Sequence, residues 1–149
     1  RTAGSKQIKQ TKQKSATYPI PRIGQAQLPL QGEIITKYNE KDLLGAKSEG
    51  IKIAGSPNAL VVAPMGGIVR FSGFFKNYGN MIIIEHQNGY HSLIAGLEKI
   101  DTVLEQQVDA GEPIGRLHES SKGKPPALYY ELRHLGKAVN PAQKFSELS

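Results

Sequence analysis

Short runs of apolar, mostly β-branched residues are the feature of this sequence that most limits its fold. Each run is four or five residues long, and Gly, Pro or Asn residues separate the runs. They lie at 32–36, 50–54, 60–63, 67–71, 81–85, 90–94, 114–117 and 128–132. Runs of this length and composition favour strands, and no long amphipathic helix is visible. The sequence therefore predicts an all-β domain, built as a sandwich-like or partly rolled antiparallel sheet.

One hairpin can be placed from its turn. Asn88 and Gly89 lie between two apolar runs and favour a two-residue turn, in which both central residues take positive φ. The predicted cross-strand partners are Gln87 and Tyr90, His86 and His91, Glu85 and Ser92, Ile83 and Ile94, and Met81 and Gly96. Because side chains alternate between faces, we expect His86 and His91 on one face and Ile94 on the other.

Composition divides the chain into an arm and a body. Residues 1–17 are rich in Lys, Gln, Ser and Thr and nearly lack apolar side chains, so they bury too little surface to offset the entropy of ordering. The following prolines, Pro19, Pro21 and Pro29, favour an extended approach to the body. We expect a flexible basic arm at 1–27, one domain at 28–145 and a short tail at 146–149.

The net charge of +6 is concentrated in that arm. Residues 1–27 contain six Lys and Arg and no acidic residue, whereas the thirteen remaining Lys and Arg equal the thirteen Asp and Glu. A basic arm on a neutral body indicates a solvated linker, with contact to anionic polymers or lipid as the alternative. The body carries no basic stripe of the kind that binds nucleic acid.

Several function classes can be set aside from composition. The sequence contains no Cys, which excludes disulfides, thiolate zinc sites and cysteine nucleophiles. No apolar run approaches the ~20 residues of a membrane-spanning helix. No secretory leader is visible, and we expect the chain to be a mature or excised piece of something longer.

Five features occur in the order found in the LytM domain, the fold of lysostaphin-like zinc peptidases. They are the segments at 50–54, 62–69, 78–90 and 108–115, and the segment 128–131 together with 139–141. The chain resembles this family over roughly 28–145. The resemblance implies an antiparallel β-sheet domain with a central groove.

The resemblance also locates the positions at which active members bind zinc and assist catalysis with histidines. The corresponding residues are Ser48, Lys52, Gly96, Ala127 and Tyr129. A zinc site needs about three protein ligands and an open position for water. Ala and Gly offer no donor, and Lys52 places a cation where the family has an anion. The sequence therefore predicts no zinc, no other cofactor and no hydrolysis.

Alternation in the last predicted strand separates two faces. Ala127, Tyr129, Glu131 and Arg133 share one face, and Leu128, Tyr130 and Leu132 share the other. The apolar set is expected in the core, so the polar set lies on the groove. Tyr and Arg are enriched among interface hot spots, which favours a protein-binding groove.

The segments 128–133 and 136–141 are similar in particular to those of the EnvC-type murein hydrolase activators. In that group the groove receives an inhibitory helix from a zinc-dependent N-acetylmuramoyl-L-alanine amidase and pulls it off the amidase active site. The groove residues that carry over are Lys52, Tyr78, Ile94, Tyr129 and Arg133, and Arg133 is a candidate to bind a carboxylate or the carbonyl end of the helix. Lys52 and Ile94 depart from the expected apolar and aromatic types. The resemblance also implies a periplasmic location in a Gram-negative bacterium and a role in cell division.

Two other function classes stay open. A non-catalytic module that binds peptidoglycan would keep affinity for the glycan or peptide in the old substrate groove. An active zinc endopeptidase would need a relocated metal site, for which His86 and His91 are the candidate pair. Their expected position away from the groove disfavours that alternative, and His118 and His134 are isolated from any carboxylate cluster.

Overall fold

The computed structural model describes residues 25–120, 123–145 and 148. The strands in these residues are β1 Glu33–Thr36, β2 Ile51–Ala54, β3 Leu60–Val62, β4 Gly67–Phe75, β5 Gly79–Glu85, β6 Tyr90–Ala95, β7 Leu97–Ile100, β8 Gln107–Val108, β9 Pro113–Leu117, β10 Ala127–His134 and β11 Lys137–Val139. Two 3₁₀ turns, Gln87–Gly89 and Pro141–Gln143, complete the regular structure of this part. The prediction of an all-β domain is confirmed.

The strands of the described part form two antiparallel sheets. The larger sheet has the order β1-β2-β10-β6-β5-β4-β8, and β11 pairs with the end of β10. The smaller sheet has the order β3-β9-β7. Strands β10 and β6 therefore lie in the middle of the larger sheet, where both of their edges are paired.

The core lies between one face of the larger sheet and the smaller sheet. Strand β10 contributes Leu128, Tyr130 and Leu132, all 0% exposed, and the small sheet contributes Val61 and Ile114, also 0% exposed. These residues belong to one contiguous apolar cluster. Burial of each such side chain stabilises the fold by roughly 1.5–3 kcal/mol, so the core face of β10 is fixed by its alternating sequence.

Packed backbone begins close to the predicted start of the domain. Leu28 and Leu30 are buried in the core, and the backbone N–H of Gln27 donates to the carbonyl of Pro64 at 3.0 Å. Most of the predicted arm, residues 1–24, lies outside the described residues. Leu148, which we assigned to a tail, packs against the core cluster.

The predicted two-residue turn between β5 and β6 is wrong by one residue. The backbone N–H of His86 donates to the carbonyl of Tyr90 at 2.8 Å across a three-residue loop. Asn88 and Gly89 do take positive φ, 62° and 79°. The observed partners are Glu85 and His91, Ile84 and Ser92, Ile83 and Leu93, Ile82 and Ile94, and Met81 and Ala95. Because a shift of one residue exchanges the faces of a strand, every facing assignment made for β6 is reversed.

Three strands, β7, β8 and β11, have no counterpart among the predicted runs. Strand β11 folds back on β10 through a tight turn in which Leu135 and Gly136 have φ of 53° and 84°. A leucine at positive φ is uncommon, so the sequence does not predict this turn. No helix in the described part of the chain is long and apolar enough to cross a membrane.

Candidate functional site: a groove on the large sheet

The face of the large sheet that points away from the core carries the candidate site. Across the middle strands, Tyr129 of β10 lies opposite Lys52 of β2 on one side and opposite Ala95 of β6 on the other. A depression of about 330 Å³ opens here, and its lining residues are Lys52, Asn77, Tyr78, Ala95, Gly96, Ala127 and Tyr129. Five of the residues singled out from the sequence, at 52, 78, 96, 127 and 129, thus meet in one place.

Two neighbours set the position of the Tyr129 ring. A Cβ atom on Gly50 would lie 2.8 Å from both Cζ and Oη of Tyr129, so only glycine at that position leaves room for the ring. On the other side the ring of Tyr78 lies 6.2 Å from that of Tyr129, centroid to centroid. The aromatic contact continues outward from Tyr78 to Phe75 at 6.1 Å. The ring is thereby half-buried at one end of the floor.

A hydrogen-bonded chain runs along the groove face of β10. The hydroxyl of Tyr129 donates to Oε1 of Glu131 at 2.6 Å, and Nη1 of Arg133 donates to Oε2 of Glu131 at 2.5 Å. Glu131 is 2% exposed, so its charge is satisfied by these two partners within the protein. Burial, followed by donation to Glu131, raises the pKa of Tyr129 and keeps its hydroxyl protonated. The predicted common face of these three residues is confirmed.

Arg133 is engaged within the protein. Besides Glu131, its guanidinium donates to the carbonyl of Gly136 at 2.7 Å through Nη2. Its side chain is 35% exposed. Its charge is thus paired with Glu131 inside the groove, and its contact with a partner stays a prediction.

Lys52 is the free cation of the depression. Its side chain is exposed, and it forms no ion pair within residues 25–120, 123–145 and 148. Ser48, which also stands at a former ligand position, is not part of the lining. Its hydroxyl donates to the carbonyl of Gly50 at 2.8 Å.

The assignment of Ile94 to the groove is wrong. Ile94 is 0% exposed, pairs with Tyr130 across the strands and belongs to the core cluster. The cause is the three-residue loop, which turns Ile94 to the core face and Ala95 to the groove face. A contact surface at this position of β6 therefore comes from Ala95.

The corrected register exposes an apolar strip that the sequence reasoning missed. Leu93 lies opposite Glu131 on one side and Ile83 on the other, and Ile83 lies opposite Phe71. All three apolar residues are half-buried. A register slip at Arg70, between Val69 and Phe71, brings Phe71 into this row. The strip crosses β6, β5 and β4. A three-residue β5–β6 loop, had it been predicted, would have placed Leu93 on the groove face and so indicated the strip.

The residues at the former ligand positions do not fit a zinc ion. Gly96 and Ala127 have no donor, Lys52 repels a cation, and Tyr129 would have to lose a proton that its raised pKa retains. Among the described residues, no three His, Asp or Glu side chains lie close enough together to hold a metal ion. No step of zinc chemistry can be assigned to this groove.

The four histidines are dispersed. The predicted cross-strand pairing of His86 with His91 is wrong, since His91 lies opposite Glu85 and Arg133 on the groove face, whereas His86 is buried and bonded to Ser92. His134 stacks on Tyr90, with ring centroids 4.1 Å apart. His118 lies next to Ala127, whose backbone N–H donates to its Nε2 at 3.3 Å.

His86 belongs to a buried hydrogen-bond chain. Its Nδ1 lies 2.7 Å from the carbonyl of Gly66, which only accepts, so Nδ1 carries the proton. Nε2 then accepts from Ser92 at 2.7 Å, and Ser92 accepts from Tyr130 at 2.9 Å. Burial lowers the pKa of His86 and favours this neutral form.

Comparison with known proteins relates the chain to a family of peptidases and their relatives. The family model described as Peptidase family M23 matches residues 46–141. The murein hydrolase activator EnvC of Escherichia coli is 32% identical over 118 residues, which cover 79% of this chain and 28% of EnvC. The murein hydrolase activator NlpD of Salmonella dublin is 31% identical over 128 residues, covering 85% of this chain and 33% of NlpD. The chain thus spans about a third or less of these relatives.

Solved structures of the family share the fold. Helicobacter pylori Csd3 superimposes with a TM-score of 0.70 at 20% identity, over 81% of this chain and 33% of Csd3. Lysostaphin from Staphylococcus simulans gives a TM-score of 0.70 at 18% identity, over 83% of this chain and 53% of that protein. With more than half of its residues matched by the family model and with this fold, the chain belongs to peptidase family M23, whose fold is the LytM domain.

Proposed function

We propose that this domain is a non-catalytic activator of a peptidoglycan N-acetylmuramoyl-L-alanine amidase, and that its groove holds an inhibitory helix of that enzyme. The observation that carries the proposal is the content of the groove. The residues at the zinc positions offer no ligand set, and one of them, Tyr129, is hydrogen-bonded instead to the buried Glu131, which also pairs with Arg133. The names of EnvC and NlpD as murein hydrolase activators support the same role.

The apolar strip has the dimensions of a helix contact. From β6 across β5 to β4, two steps of ~4.8 Å span about 10 Å. A helix rising 1.5 Å per residue covers this span with about seven residues, or two turns. Leu93, Ile83 and Phe71 would receive apolar side chains spaced at i, i+3, i+4 and i+7.

Charge specifies one end of the helix. Since Arg133 is paired with Glu131, Lys52 is the unpaired cation among the described residues that line the depression. Lys52 stands at the Tyr129 end of the floor, next to the depression. The helix is therefore expected to place a carboxylate there, in a contact that Asp or Glu provides.

Activation follows as a population shift. An amidase held closed by its own helix opens when the groove binds that helix more tightly than the amidase active site does. Moving such an equilibrium from 1:99 to 99:1 requires about 5.5 kcal/mol of differential binding. A handful of buried anchors along the strip and around Tyr129 is sufficient for this amount.

The cellular setting is proposed from the relatives. These include the outer membrane antigenic lipoprotein B of Haemophilus influenzae and the cell division protein DipM of Caulobacter vibrioides. We place the domain in the periplasm of a Gram-negative bacterium, acting on the cell wall during division. Residues 1–27 would link it to the rest of a longer protein.

Release of dye from labelled murein tests the proposal directly. Candidate amidases are assayed with the domain, and with the variants Tyr129→Ala and Lys52→Glu. Each variant should lower activation by about tenfold or more, because anchor truncations cost ~2 kcal/mol. Lys137→Glu, an exposed lysine on β11, is the matched control and should activate normally. Folded variants that activate every cognate amidase at the level of the unaltered domain would contradict the groove assignment.

A second candidate function, binding of peptidoglycan itself, is favoured by one observation. Phe75 and Tyr78 at the β4–β5 turn are 48% and 41% exposed, beside the groove, and their rings lie 6.1 Å apart. Exposed aromatic faces of this kind can stack on sugar rings. A pull-down with insoluble murein, run beside one with the amidase, separates the two functions. Retention on murein that Phe75→Ala abolishes, without any amidase binding, would favour the second.

A further inference from the structure

The connection between β1 and β2 projects two leucines into solvent. We define residues 37–48 as the finger. At its tip Leu43 and Leu44 are 104% and 94% exposed, the two highest values among the exposed large apolar residues of the described part. Neighbouring side chains do not cover them at all. Exposed adjacent apolar side chains of this kind indicate a surface that contacts a membrane or another protein.

The finger is an ordered hairpin. Backbone bonds join Asn39 to the carbonyl of Ser48 at 2.8 Å and Ser48 to the carbonyl of Glu40 at 2.9 Å. At the tip, Oδ1 of Asp42 accepts from the backbone N–H groups of Leu44 and Ala46, each at 2.9 Å. An aspartate that closes its own turn specifies the tip locally. The two leucines are therefore held outward by a defined structure.

Lysines stand directly behind the tip. Lys41 and Lys47 are paired in a bridge below the turn, and Lys37 lies at the base, all three exposed. They form no ion pair with any other described residue. The two acids of the finger, Glu40 and Asp42, are also exposed, but both accept hydrogen bonds from its backbone: Asp42 from the N–H groups at the tip and Glu40 from the N–H of Lys37 at 2.9 Å.

We propose that the finger inserts its tip into the interface of an anionic phospholipid bilayer. A bilayer presents negative headgroups at its surface and an apolar layer a few ångströms deeper. With the tip inserted, Leu43 and Leu44 would reach the apolar layer, and Lys41 and Lys47 behind them would lie at the headgroups. The six positive charges of residues 1–27 have the sign that the same surface attracts. This binding is independent of the groove and of any amidase.

Fluorescence offers a clean test because the chain contains no Trp. In the full chain, Leu44→Trp places the sole tryptophan at the tip. With vesicles of phosphatidylcholine and phosphatidylglycerol, its emission should shift to the blue, and brominated acyl chains should quench it. Leu104→Trp, on the β7–β8 turn and 58% exposed, is the matched control and should do neither. An unshifted Leu44→Trp, or equal shifts in both variants, would overturn the proposal.

Co-sedimentation with the same vesicles gives a second readout. Replacing both tip leucines, Leu43→Ser with Leu44→Ser, should weaken binding by about tenfold or more, since two exposed apolar anchors are lost. Leu104→Ser should bind as the unaltered chain does. Folding of the double variant is checked by thermal melting, and no loss is expected at side chains that touch nothing. Undiminished binding by a folded double variant would assign the affinity to the basic residues alone and contradict insertion.

Discussion

The hydroxyl of Tyr129 donates a hydrogen bond of 2.6 Å to the carboxylate of Glu131, two residues further along the same strand. The other carboxylate oxygen accepts from Arg133 at 2.5 Å, and Glu131 is 2% exposed. A buried acid on the floor of a groove is stable only if its charge is matched. These three side chains therefore act together, and a change in one alters the surroundings of the others.

Arg133→Ala should destabilise the domain by about 1–3 kcal/mol, because it leaves a buried carboxylate with Tyr129 as its remaining side-chain partner. The partial exposure of Arg133 keeps the cost below that of breaking a fully buried pair. Urea unfolding measures the change.

Two controls accompany this measurement. Leu132→Ala, at 0% exposure on the opposite face, should cost about 2–5 kcal/mol through a core cavity. Adding Glu131→Gln to Arg133→Ala should recover part of the loss, since the unpaired charge is then gone. A cost for Arg133→Ala within about 0.5 kcal/mol would mean that the pair contributes little.

Purified domain should contain no stoichiometric zinc and should not cleave murein or peptide cross-links alone. The reason is the donor set at the former ligand positions, where Lys52, Gly96 and Ala127 offer no ligand. Elemental analysis and an assay with and without chelator check both statements. About one tightly bound zinc per chain, with hydrolysis that the chelator abolishes, would contradict them.

Stability should fall as the pH drops below about 6.5, owing to His86. Burial lowers the pKa of His86 in the folded protein, so below the ordinary histidine pKa the unfolded chain binds a proton that the folded protein does not. The stabilisation is present above that pKa and is lost with a slope of up to ~1.4 kcal/mol per pH unit. Unfolding measured between about pH 7.5 and 5 checks this.

The matched variants for this pH effect are His86→Gln and His134→Gln. The first should be less stable near neutrality but should lose most of this slope, whereas His134→Gln should retain it. His134 stacks on Tyr90 at the surface and lies outside the buried chain. An identical slope in His86→Gln would show that other groups cause the acid sensitivity.

Removal of residues 1–17 should leave the melting temperature within about 2 °C of the full chain. The physical reason is that these residues are nearly devoid of apolar side chains and have little apolar surface to bury against the domain. Differential scanning calorimetry of the chain trimmed to Tyr18 checks the expectation. A much larger fall would mean that the arm packs on the body.

The class of fold and most of its strands follow from local sequence. Runs such as 81–85 and 128–132 are rich in apolar β-branched or aromatic residues, which pack well on a partly buried sheet. Strands β5 and β10 therefore lie where they were expected. The common face of Tyr129, Glu131 and Arg133 follows from the same alternation within a single strand. Strands β8 and β11, of two and three residues, owe their structure to pairing with longer neighbours.

By itself the sequence determined the all-β class and the core face of β10, because each depends on residue type and on the period of one strand. Only the tertiary structure decided which face of β6 meets the groove. That choice depends on the loop of three residues, where Leu135 donates its backbone N–H to the carbonyl of Gly89 at 2.9 Å. The contact joins segments far apart in the chain, so the turn preference of residues 86–90 alone does not predict the length of the loop. One added loop residue moved Ile94 into the core and brought Leu93 to the groove.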